Sequence, residues 1–216
     1  MTQQQQPPSS RTPLDHSLPD VLEAIAAKSP SPGGGAVAAM LAGIAAALAD
    51  MVVAYSIGRK SLREHDALFA RAHDAFTRAR VRSLQLAEED ATAYSNLNAL
   101  QRSGGDEPHT QPGWSDAVTG AIAAPLACID LAQSLLALCE ELCGRSNAWL
   151  RSDLAIAAVT AEAAVTAAAW NVRINLPLLD HLSGDVPYQR SQLETQFETA
   201  LAESRAARSR VESLCA

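Results

Sequence analysis

An all-α, single-domain bundle of long helices is the fold this sequence predicts, and three observations predict it. Much of the apolar content is alanine, the strongest helix former, while aromatic residues make up only 4%. Apolar residues recur at helical spacing over several long windows, and no stretch shows the alternation of a half-buried strand. The segments rich in glycine and proline fall between those windows, where they interrupt helices. A chain of 216 residues can bury a sizeable core. Its charged fraction of 19% is a little below the globular norm, which points to further surface buried between subunits.

Residues 1–16, with four glutamines and three prolines, read as a disordered tail, and residues 17–216 as the helical domain. Ser17 caps a short first helix with Pro19 in its first turn, running to about Lys28. Ser29 to Gly35 holds two prolines and three glycines and cannot be helical. A second helix runs from about Gly35 to Ile57 and stops at Gly58. Its apolar run, Ala36 to Ala49, ends at Asp50 and is shorter than the roughly 20 residues of a bilayer crossing, so it reads as a buried core helix. Gly35, Ala39, Gly43 and Ala47 recur every four positions and form a smooth stripe for a neighbouring backbone. A third helix, about Ser61 to Gln101, carries Leu68, Ala72, Ala75, Ala79, Leu86, Ala93 and Leu97 on its apolar stripe. A polar loop, Ser103 to Gly113, leads to a fourth helix, about Trp114 to Leu142, with a kink expected at Pro125. A connection to Ser152 precedes a fifth helix, Asp153 to about Asn175, alanine-rich on nearly all faces and so buried, with Ser152 or Asp153 as its N-cap. A last amphipathic helix spans about Pro187 to Leu214.

The net charge of −7 argues against nucleic acid as a partner, since phosphate binding needs clustered cations. Cys128, Cys139, Cys143 and Cys215 form no C-x-x-C pair and have no histidine at zinc-ligand spacing, so no metal site is expected. They read as small buried hydrophobes. Reduced thiols and no signal peptide suggest a cytoplasmic protein. Asp50 and the mixed polarity of the last helix argue against a membrane role.

Four constellations could carry chemistry. Ser31-Pro-Gly-Gly-Gly35 opens a buried helix, where bare backbone N–H groups and the helix dipole suit a carboxylate or the polar edge of a heterocycle; the same residues also suit an ordinary connection. Arg59, Lys60 and Arg63 could hold an anionic tail or simply complement a helix C-terminus. Asp90 and Tyr94 share a helix face, with alanines around them that would let Asp90 be partly buried and act as a general acid or base; Glu88 and Glu89 read as surface acids. Asn171 and Asn175 lie one turn apart on an otherwise apolar helix and need hydrogen-bond partners, from a network or a ligand.

Together these segments resemble a known family. Pro30-Ser-Pro-Gly-Gly-Gly-Ala-Val-Ala-Ala39, Met51-Val52, Ile57-Gly-Arg-Lys60, Glu89-Asp90 with Ala93-Tyr94, Ala124-Pro125, Ser152-Asp153 and Asn171-Val-Arg-Ile-Asn-Leu176 are similar, in order, to the formimidoyltetrahydrofolate cyclodeaminase/methenyltetrahydrofolate cyclohydrolase family. The resemblance covers nearly the whole chain. It implies an all-helical homodimer with folate near the subunit contact. Gly33, Gly34, Gly35, Arg59, Asp153, Asn171 and Asn175 would bind substrate, with Asp90, Lys60 and Tyr94 as catalytic candidates. It implies no cofactor, because the tetrahydrofolate belongs to the substrate. Three positions depart from the family pattern: Ala36 replaces the usual serine, Arg59-Lys60-Ser61 replaces a lysine run, and Gly104-Gly-Asp-Glu-Pro108 replaces a Leu-Pro-Lys ending.

The expected activity is hydrolysis of 5,10-methenyltetrahydrofolate to 10-formyltetrahydrofolate. The alternatives are 5-formimidoyltetrahydrofolate cyclodeamination and, motivated by the departures, a bundle that binds folate or a protein without turnover. The absence of a formiminotransferase domain favours the hydrolase.

Overall fold

In the computed structural model, residues 17–105, 107–182 and 188–216 are described, so the expected tail at 1–16 lies outside them. Six α-helices follow in order: α1 (Leu18–Ala26), α2 (Gly34–Ala54), α3 (Asp66–Ser103), α4 (Trp114–Leu142), α5 (Arg151–Asn175) and α6 (Arg190–Cys215). Among the described residues there is no strand. α2 lies between α3 and α5, α6 flanks α5, and α4 packs across all four.

Alanine sets this arrangement. Ala42, Ala46 and Ala49 of α2 and Ala157, Ala161, Ala164 and Ala168 of α5 are fully buried. Side chains this short let backbones approach closely, and the larger Phe69, Phe76, Leu135, Leu136 and Leu142 fill the remaining space at native density. α2 and α5 run antiparallel. At one end Gly34 meets Asn171. At the other, the buried Ser56 hydroxyl donates to Val52 O at 2.7 Å and accepts the Asn147 N–H at 2.9 Å.

Several boundaries differ from the sequence reading. α2 ends at Ala54, before Gly58, whose φ is +79°. A 3-10 turn, Lys60–His65, then delays α3 to Asp66. Ser152 and Asp153 are not caps: the 3-10 turn Ala148–Leu150 runs straight into α5, which starts at Arg151, and Asn147 caps that turn by accepting the Trp149 N–H at 3.2 Å. On α3, Ala72, Ala79, Leu86 and Leu97 of the expected stripe are buried; Phe69, Phe76, Ser83 and Ala87 complete the buried face in place of Leu68, Ala75 and Ala93, because the two phenylalanines bury more area than the alanines beside them. Ala47 is exposed, so the small-residue stripe of α2 ends at Gly43, where a Cβ would overlap the Ser83 hydroxyl of α3. α4 runs through Pro125, and α6 begins at Arg190; the Pro187 start expected for α6 lies outside the described residues.

The apolar run of α2 also continues past Asp50. α2, α4 and the segment Ala148–His181 each reach the length and apolar character of a bilayer crossing, which corrects the reading of Ala36–Ala49 as too short. Asp50 does not end the helix because α3 meets its charge: His73 Nδ1 lies 2.7 Å from Oδ1, and Arg80 bonds Oδ2. Removing the acid deprives the partly exposed His73 and Arg80 of their shared partner on α2. Asp50→Ala is expected to lower unfolding stability by about 1–3 kcal/mol in urea titration; a change under about 0.5 kcal/mol would show that the cluster contributes nothing.

Candidate functional site

The first N–H groups of any α-helix have no intrahelical carbonyl to meet. α2 begins after Gly33, which has no side chain to cap them. Asp90, in the second half of α3, supplies the acceptor: its carboxylate lies over the first turn of α2 and receives the Ala36 N–H. The approach is so close that a Cβ on Gly35 would overlap Asp90 Oδ1 and Cγ. Only glycine fits there. A Cβ on Gly34 would stand 3.7 Å from Asn171 Oδ1, an ordinary contact.

Behind Asp90 the space among Gly35, Ala39, Leu86, Pro125 and Cys128 is too narrow for water. This burial pushes the Asp90 carboxyl above its ordinary value, and the Ala36 N–H offsets part of the shift by favouring the anion. Burial, and then the Asp90 charge, push the Cys128 thiol up to about 12, so it stays neutral.

In front of Asp90 a cleft of about 450 Å³ opens, within the usual range for small-molecule sites. Gly33, Gly34 and Gly35 form one wall, Asp90 and Tyr94 a second, and Asn171 and Asn175 a third. Asn171 Nδ2 donates to Ala167 O at 3.3 Å, and Asn175 Nδ2 donates to Ala121 O at 3.0 Å. Tyr94, one turn beyond Asp90, is 49% exposed. Seven of the ten residues singled out from the sequence therefore line one cleft.

The other three do not reach it within one chain. Arg59 and Lys60 follow the far end of α2, roughly 30 Å from Gly35 at 1.5 Å rise per residue. Asp153 lies in the first turn of α5, roughly 27 Å from Asn171. The antiparallel pairing of α2 and α5 puts all three at the end away from the cleft.

Sequence reasoning missed the Ala36 N–H as the donor to Asp90, and it missed Gln101 and Ile174 on the cleft wall. It also read Glu88 as a surface acid. Glu88 instead lines a wide groove between α3 and α4, with Oε1 buried and without a hydrogen-bond partner. Among the described residues, no group of three His, Cys, Asp or Glu side chains could hold a metal ion.

Fold and cleft together define a helical-bundle protein with a dehydrated carboxyl facing a cleft of small-molecule size. The family model for formiminotransferase-cyclodeaminase matches residues 17–183. Formimidoyltransferase-cyclodeaminase of Sus scrofa is 32% identical over 167 residues, covering 76% of this chain and 31% of its own length. The chain thus spans about a third of that relative. Methenyltetrahydrofolate cyclohydrolase of Methylorubrum extorquens is 26% identical over 201 residues, covering 91% and 94%. The crystal structure of formiminotetrahydrofolate cyclodeaminase from Thermotoga maritima superposes with a TM-score of 0.77 at 25% identity, covering 93% of this chain and 96% of that one. The chain belongs to the formiminotransferase-cyclodeaminase family.

The two neighbouring glycines give a direct test of the contact. Gly35→Ala forces Asp90 away and is expected to cost about 1–3 kcal/mol in thermal or urea unfolding. Gly34→Ala is expected to be neutral or to stabilise by up to about 1 kcal/mol. Equal effects from both would contradict the close approach of Asp90.

Proposed function

We propose that this chain is a 5,10-methenyltetrahydrofolate cyclohydrolase with Asp90 as its general base. One observation carries the reading: a carboxylate that is dehydrated behind and faces a cleft in front, on a chain that matches a named cyclohydrolase over nearly the full length of both. The substrate is a cation, and a carboxylate shielded from water stabilises it strongly. A carboxyl above its ordinary value is also the stronger base. Water attacks the bridging carbon and gives its proton to Asp90. The proton then passes to N5 as the carbon–N5 bond breaks, and the remaining hydroxyl proton of the adduct goes to Asp90 and on to water, leaving the formyl group on N10. Tyr94 stands at the cleft to relay it. The N–H groups of Gly34 and Gly35, together with Asn171 and Asn175, hold the ring. The one-carbon unit travels on the substrate, so the chemistry calls for no cofactor.

A second reading, 5-formimidoyltetrahydrofolate cyclodeaminase, is favoured by the Thermotoga maritima structural match. There N10 attacks the formimidoyl carbon, and protonated Asp90 supplies the proton with which ammonia leaves.

The same proposal includes a homodimer. α2 and α5 leave Ile44, Ile156 and Val159 at least 40% exposed along their outer faces. A two-fold axis across this antiparallel pair would set the Arg59–Lys60–Asp153 end of one chain against the Asp90 cleft of its partner. Lys60 and Arg59 would then meet the anionic tail of the substrate.

The test combines turnover with complementation. Purified protein is expected to accelerate loss of methenyltetrahydrofolate absorbance. A rise on 5-formimidoyltetrahydrofolate with ammonia release would select the deaminase instead. Asp90→Asn and Lys60→Ala are each expected to lower turnover by about 100-fold or more. Mixed and re-associated, the two inactive variants are expected to recover about a quarter of wild-type activity, because half the dimers then hold one intact site. Absence of recovery in a confirmed heterodimer would contradict a shared site, and nearly full turnover by Asp90→Asn would remove Asp90 as the base.

A further inference from the structure

We propose that Pro125 is a positioning residue that acts through Asn175, fixing the Asn175 amide so that the cleft reads a donor-rich heterocycle edge. The inference rests on the folate reading above for its ligand, and on the geometry of α4 and α5 for its mechanism.

α4 continues from Trp114 to Leu142 with Pro125 inside it. In an α-helix the N–H of residue 125 would bond the carbonyl of residue 121. Proline has no N–H, and its ring crowds that carbonyl. Ala121 is buried at the edge of the cleft, so its oxygen needs a partner other than the helix. Asn175, the last residue of α5, takes the bond: its Nδ2 donates to Ala121 O at 3.0 Å.

This contact settles which way the amide faces. A carbonyl cannot donate, so only the NH₂ group of Asn175 can meet Ala121, and Oδ1 is left as an acceptor in a residue that lines the cleft. One turn earlier Asn171 is oriented in the same sense. Its Nδ2 donates to Ala167 O, which leaves Oδ1 free to accept, and its amide faces Gly34. Both amides have therefore committed a donor to backbone. The two Oδ1 atoms thus give this wall of the cleft two acceptors, while Asp90 faces the reacting carbon. The matching ligand edge is rich in N–H groups, as in the 2-amino and ring N–H donors of a reduced pterin. A 2-oxo analogue, which replaces the 2-amino donor with an acceptor, would meet acceptor with acceptor and be rejected.

Pro125→Ala returns an N–H to residue 125, which competes with Asn175 for the Ala121 carbonyl while restoring a helix bond, so the fold is retained. Pro125→Ala and Asn175→Ala are each expected to raise KM for 5,10-methenyltetrahydrofolate about 10-fold with kcat within about 2-fold. The double variant is expected to be no worse than Asn175→Ala alone, because Pro125 has no effect without the amide it orients. Additive increases in KM, or a fall in kcat without a change in KM, would overturn the positioning role. The relay has a separate readout that needs no folate. One Asn175 side-chain amide proton is expected to exchange slowly by NMR in the wild type and faster in Pro125→Ala. Unchanged exchange would overturn the relay. A folded wild type with a protected amide that neither binds nor turns over the folate would overturn the pterin edge together with the folate reading.

Discussion

The N-terminus of α2 has no side chain of its own to receive its opening N–H groups, and a carboxylate from α3 receives one of them instead. That single contact constrains much of the structure. It requires glycine at position 35, because any side chain there would occupy the space of the Asp90 carboxylate. It requires α2 and α3 to lie close along this end, which Gly43 against Ser83 continues two turns later. It also draws a charged group against an apolar wall of Ala39, Leu86 and Cys128 that water does not enter. A carboxylate held in this way is costly as an anion and is for that reason suited to accept a proton.

The second constraint is the antiparallel packing of two alanine-rich helices. α2 and α5 both present buried alanines and pack closely, with their ends in opposite directions. The glycine loop at the start of α2 and the two asparagines at the end of α5 therefore meet, while Lys60 and Asp153 are held at the far end. The outer faces of the same two helices carry Ile44, Ile156 and Val159 into solvent, so the surface that would join two copies is the surface that separates the two halves of the proposed site.

Much of this was legible in the sequence. Alanine content and glycine–proline punctuation gave the helices and their order, and the boundaries of α4 matched to the residue. Gly33 to Gly35, Asp90, Tyr94, Asn171 and Asn175 were each identifiable by residue type and spacing, and the structure places them around one cleft. What spacing does not carry is direction. Ser152-Asp153 looks like a cap, yet a preceding 3-10 turn joins α5 without a break. The resemblance groups Lys60 with the glycine loop in one site, but the helix between them is about 30 Å long. Pro125 reads as a kink; the bond it releases, and the amide that answers it, depend on which helix packs beside Ala121.

The account depends most on the state of the Asp90 carboxyl. An acid that ionises less readily folded than unfolded favours the folded state at low pH, and this advantage is lost as pH rises through its folded value. The direct measurement is a pH titration of the Asp90 Cγ signal by carbon NMR in aspartate-labelled protein, assigned with Asp90→Asn. A midpoint above that of aspartate in an unstructured peptide is expected, because burial outweighs the Ala36 N–H. A midpoint at or below that of the unstructured peptide would mean that the Ala36 N–H outweighs burial, that the carboxylate is a weak base held for capping alone, and that the general base must be sought elsewhere in the cleft.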